Sequence, residues 1–188
     1  MADMKYLPRA AIAVLGLAGG LWAAAAEPGP HVHGQATLRV VAEGSTLELQ
    51  LETPLDNVLG FEHAPRDGKQ RDAVRAMAAR LRQPLSLFQP TVAARCEPST
   101  VQLASSALAP GLLGQAPGAS EIAPEPEGHA DLDASFSFRC AAPERLQGLD
   151  AGGLLKAFPG IHSLRVEAVG PRGQAATDIR AGRSGVRW

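Results

Sequence analysis

Aromatic residues are scarce, 4% of 188 residues with a single Tyr, so a stacking platform for bases or sugars is not expected. Neither sign of charge is in excess: 18 Lys and Arg face 19 Asp and Glu. That balance leaves no basic footprint for nucleic acid and no polybasic patch for a membrane surface. Signatures of common catalysts are missing as well. There is no G-x-S-x-G, no H-E-x-x-H and no glycine-rich phosphate loop. An enzyme is therefore not expected. Cysteine is limited to Cys96 and Cys140, with no C-x-x-C pair, and histidine to five residues. What the chain does have is 45% hydrophobic and 20% charged residues, a globular composition.

Residues 1–26 read differently from the rest. Lys5 and Arg9 precede the apolar run Ala10–Ala18, and an A-x-A site stands at Ala24–Ala26. This is the pattern of a secretory signal peptide, too short in its apolar part to span a bilayer. Export to the periplasm is the expectation, with residues 27–188 as one mature domain without a membrane span. Removing Lys5, Arg9 and Asp3 leaves 16 basic and 18 acidic residues, a net charge of −2. In an oxidising compartment, two cysteines predict one disulfide, Cys96–Cys140.

Alternation predicts strands at Ala36–Ala42 and Leu47–Leu51, joined by Glu43–Gly44 as a hairpin. Pro54 ends the second strand. Asp67 with Gln70 has capping-box spacing, and Val74, Met77, Ala78 and Leu81 recur at helical spacing, with Arg71, Arg75 and Arg82 on the wet side. Residues 104–128 hold eight Gly or Pro among 25 and show no periodicity, which predicts a flexible linker. Strict alternation returns over Leu132–Cys140. Short helical turns follow near Pro143 and Leu154, then strands at Leu164–Ala168, Gln174–Ile179 and Val186–Trp188. The fold class expected is α+β: a mainly antiparallel sheet with one amphipathic helix and short helices packed on it.

Three segments carry metal-ligand chemistry. In His31-Val32-His33 the two imidazoles share a side if the chain is extended, yet two ligands cannot close a zinc site alone. Glu62 and His63 sit in a strand-to-helix loop, where they form either a ligand pair or a hydrogen-bonded turn. Glu125, Glu127, His129, Asp131 and Asp133 occupy alternate positions, so an extended chain places five groups on one side, where a cation would relieve their repulsion. A solvated face is the alternative for each. His162 reads as a boundary or buried histidine rather than a ligand.

Taken together, His31-Val32-His33-Gly34 and the hairpin after it, Pro54 with Asn57 through Pro65, His129-Ala130-Asp131, Phe136–Cys140, Phe158-Pro159, Gly173-Gln174 and Arg187-Trp188 resemble the ZrgA-like family of exported zinc-responsive proteins. The resemblance covers nearly all of residues 31–188, and Gly60-Phe61-Glu62-His63-Ala64-Pro65 is its most specific part. It implies a periplasmic protein that binds zinc and supports its acquisition beside an uptake system, an ABC transporter or its binding protein. The ligand candidates it implies are His31, His33, Glu62, His63, His129 and Asp131, for zinc or another divalent transition metal. Many relatives carry a His- and Asp-rich tract in the linker. Here residues 104–128 contain no His, so a folded site is expected instead of a flexible trap. The alternatives are a metal-free accessory module of an envelope transporter and a metal-dependent hydrolase.

Overall fold

The computed structural model describes residues 32–115 and 130–188. The described residues all fall within one compact unit, residues 31–188. His31, His129, Glu125 and Glu127 lie outside the described residues, as do the expected signal peptide and the second part of the Gly/Pro-rich stretch.

The hairpin forms as its alternation predicts. β1 (Gln35–Glu43) and β2 (Thr46–Pro54) pair antiparallel, with Leu38 opposite Leu51 and Val40 opposite Leu49. After a single turn of helix, α1 (Asp56–Leu59), comes the amphipathic helix α2 (Gly68–Leu81). Its buried residues are Val74, Met77, Ala78 and Leu81. The Asp67 carboxylate caps it by accepting from the Gln70 amide at 2.8 Å, while the Gln70 side chain accepts from the Arg66 amide. Replacing Asp67 with Ala should cost about 1 kcal/mol in a denaturant titration, the usual worth of such a cap. A loss below a few tenths would show that water serves those amides equally well.

Pro84 opens a second short helix, α3 (Pro84–Leu87), and a two-residue strand, β3 (Gln89–Pro90), follows it. Beyond these lie β4 (Cys96–Ala104), β5 (Asp131–Cys140), β6 (Gly148–Asp150), α4 (Gly152–Ala157), β7 (Ser163–Gly170), β8 (Gly173–Ile179) and β9 (Gly185–Arg187). Six strands make one sheet in the order β4-β5-β2-β1-β7-β8; β3, β6 and β9 make a small second sheet. Among the described residues every pairing is antiparallel except β1 with β7. The fold is α+β.

Parity decides which side of the large sheet is dry. Leu38, Val40, Leu47, Leu49, Leu51, Leu132, Phe136, Phe138, Leu164 and Val166 are all buried and join the α2 residues in one core. The other side carries Arg39 paired with Glu52 at 3.0 Å and Arg165 with Asp178 at 3.4 Å, so it is a polar, open face. The Gly/Pro-rich stretch departs from expectation in its first part. Ala104 closes β4, and Ala107, Leu108 and Leu113 are buried in turns that pack on the core. Three apolar side chains at irregular spacing suffice to hold a segment that periodicity alone reads as linker. Cys96 and Cys140 stand directly opposite each other on β4 and β5 and are disulfide-bonded.

Candidate metal centre

One end of the large sheet gathers three chain segments, and their backbones are locked together before any side chain is considered. Residues 33–34 form a turn leading into β1, with Gly34 at φ +80°, a conformation that favours glycine. The Gly34 carbonyl accepts from the amides of His162 (2.8 Å) and Ser163 (2.9 Å), at the start of β7. Its amide donates to the side-chain oxygen of Asn57 in α1 at 2.6 Å. The Asn57 amide group donates in turn to the Gln35 carbonyl at 2.8 Å and the Thr53 hydroxyl at 3.0 Å. Asn57 is thus a buried polar hub in a region of apolar neighbours, satisfied on both ends. Gly160 passes over the Asn57 backbone so closely that a Cβ there would collide with the Asn57 carbonyl oxygen. At the far side, the Leu55 amide donates to the Ala130 carbonyl at 2.9 Å, tying the entry of β5 to α1.

The candidate side chains hang from this frame. His33 donates through Nε2 to Glu62 Oε1 at 2.9 Å, and its Nδ1 faces Asp56 Oδ2 at 3.8 Å. The Glu62 side chain is only 15% exposed, against 56% for His33. That pairing is therefore less screened than a surface ion pair. Glu62 thus holds the ring by a hydrogen bond at one nitrogen, while Asp56 stands beyond hydrogen-bond reach of the other. A bond from one ring nitrogen to a carboxylate is also how metal-bound imidazoles are commonly held.

His63 takes another direction. Its Nδ1 donates to the Ala64 carbonyl at 2.9 Å, and its ring stacks on Phe61 with centroids 5.2 Å apart. Alternation along 61–63 explains this: the two rings share one side of the chain, and Glu62 turns away from them toward His33. The bond to Ala64 fixes the tautomer and leaves the Nε2 lone pair available. Asp131 opens β5 opposite Pro54, at the same end of the sheet as the His33 turn and two strands from β1, a separation of about 10 Å. Asp133 follows on the same face, opposite Glu52.

Of the six candidates, the fold brings His33 and Glu62 together, puts Asp131 at the same sheet end, and directs His63 to its own loop. His31 and His129 adjoin the corner in sequence but lie outside the described residues. Among the described residues no three His, Cys, Asp or Glu side chains converge as a metal shell. The donors present nonetheless suit zinc. Bonds near 2.1 Å at tetrahedral angles set ligand atoms about 3.4 Å apart, and His33 Nε2 and Glu62 Oε1 stand within half an ångström of that. Asp56 and Asn57 escaped the sequence reading. Neither stands in a metal-ligand spacing, and only the fold shows α1 against the His33 turn. His162 was expected to be a boundary or buried residue; it is at the boundary of β7 but exposed, beside Gly34.

Fold and corner together define a disulfide-bonded α+β domain with imidazole and carboxylate side chains gathered at one end of its large sheet. The chain belongs to the ZrgA family of zinc uptake proteins, whose family profile matches residues 30–188. No curated protein matches it.

Proposed function

We propose that this is an exported, periplasmic zinc-binding protein that takes up the ion as cargo and supports its acquisition, handing it to or buffering it for an uptake transporter. It is not an enzyme in this reading. The observation that carries the proposal is His33, hydrogen-bonded to Glu62 at one nitrogen with Asp56 3.8 Å from the other. Membership of a zinc uptake family supports the choice of metal. The donor set itself would accept copper as readily, and more tightly by the usual affinity order. His33 and Glu62 would be ligands, with His31, His129, Asp131 or His63 completing the shell. The basic, apolar and A-x-A succession in residues 1–26 supports export.

Calorimetry of the metal-free protein with zinc chloride tests this. A dissociation constant at or below the micromolar range is expected, and a His31→Ala/His33→Ala double variant should bind at least about tenfold more weakly, as should Glu62→Gln. Absence of zinc binding at micromolar concentrations would overturn the reading and favour the metal-free accessory role. Full retention of binding by the double variant would move the site away from this corner.

A further inference from the structure

The near-neutral charge of the whole chain conceals how the fold sorts it. Between Arg66 and Arg82 stand six basic residues against two acidic ones, in a mature domain whose net charge is −2. Overall balance argued against a polybasic patch; the fold builds one. With about 100° between successive helical residues, the buried stripe of α2 places Arg71, Arg75 and the C-cap Arg82 along one flank, and Lys69 and Arg80 along the other. All five are exposed. The ridge between the flanks is low, made of Gly68, Ala76, Ala79 and Asp72, which pairs with Arg75 at 2.8 Å. Long basic side chains on both flanks can therefore reach one plane beyond the ridge. Leu85, 47% exposed, follows directly in α3 and lines a groove with Arg82. The far side of the domain has the reverse sign. The open side of the large sheet carries Glu48, Glu52, Asp133, Glu167 and Asp178 beside three arginines.

We propose that the outward side of α2 docks on a bilayer of anionic phospholipid. The proposal rests on the export part of the functional reading and not on zinc. Cations on both flanks with an exposed leucine beside them fit a surface of phosphate headgroups. The carboxylates of the open sheet are repelled by the same surface, so the charge pattern also sets the orientation, helix toward lipid and sheet toward water. Among the described residues no helix is long and apolar enough to cross a membrane, so the contact is peripheral. The acidic sheet of a second copy would match the helix in charge as well. That contact is heterologous, however, and would add copies without closing; a lipid surface leaves a discrete molecule.

Co-sedimentation with vesicles tests this, using equal parts phosphatidylglycerol and phosphatidylcholine against phosphatidylcholine alone. Binding is expected only to the anionic vesicles, and high salt should release it. Two variants of equal charge change separate the patch from net charge. Lys69→Gln/Arg71→Gln should weaken binding at least about tenfold, while Gln50→Glu/Gln102→Glu, on the open sheet, should leave it unchanged. Both pairs are exposed, and an unaltered thermal midpoint confirms that the fold is kept. Equal binding to both kinds of vesicle, or equal weakening in the two variants, overturns the proposal. Failure to bind anionic vesicles overturns it too, and a salt-sensitive rise of particle mass with concentration would then assign the patch to a second copy. Zinc calorimetry of the same samples tests the metal reading separately.

Discussion

Replacing Asn57 with Ala is expected to lower stability by about 3 kcal/mol, measured by urea denaturation, because buried groups would lose a partner. The buried Gly34 amide depends on the Asn57 side chain, as does the part-buried Gln35 carbonyl, and the buried Thr53 hydroxyl would keep only its long 3.5 Å bond to the Pro54 carbonyl. A buried polar group left unpaired costs about 1–3 kcal/mol, more than the net worth of the bond that was removed. Asn57→Asp should not rescue the loss. It keeps an acceptor for Gly34 but sets a second oxygen against the Gln35 carbonyl. The same variants should weaken zinc binding, since Asn57 is the link between the His33 turn and the helix before Glu62. A loss below 1 kcal/mol would mean that water fills the site and restores the bonds.

Removing the disulfide should cost slightly more. Cys96 and Cys140 are 44 residues apart in sequence, and closing a loop of that size is worth about 4 kcal/mol in the chain-entropy description. The double variant Cys96→Ser/Cys140→Ser should show this as a lowered denaturation midpoint, with a steeper slope because the unfolded chain is no longer cross-linked. The effect should also be local. Among the described residues β4 is an edge strand paired only with β5, and its irregular register between Pro98 and Thr100 weakens that ladder. Its outward carbonyls are met by Arg82 at Val101 and by Gln115 at Leu103. With the disulfide gone, amide exchange over residues 96–104 should accelerate well beyond that of β1 and β2. Uniform acceleration in all strands would show that β4 unfolds only with the whole domain.

The parts of this fold legible in the sequence are those where one face is wet and the other dry. β1, β2, β5 and β7 alternate because the sheet is covered on one side only, and α2 shows its buried stripe for the same reason. β4 was not legible. As an edge strand its residues are mostly exposed on both sides, and Pro98 breaks what pattern remains. The parallel union of β1 and β7 was equally hidden, since nothing local distinguishes a parallel neighbour from an antiparallel one. At the corner, Glu62 and His33 could be named as donors, but not that they meet. His63 illustrates the limit: as part of Glu62-His63 it looked like a partner ligand, and alternation in an extended loop sends its ring to Phe61.

The union of β1 with β7 also gives the corner a place in time. The β1–β2 hairpin closes through a two-residue turn and needs nothing from the rest of the chain. Gln35 and Ser163, by contrast, meet across almost the entire length of the domain, and such distant pairings come late because the intervening chain must first be confined. The bonds that seat the His33 turn on residues 162–163 therefore arise near the end of folding. An incomplete chain, or one stopped before its last strands dock, holds the same donors without the frame that aims them. A metal ion held at that corner would mark a molecule whose two ends have already met.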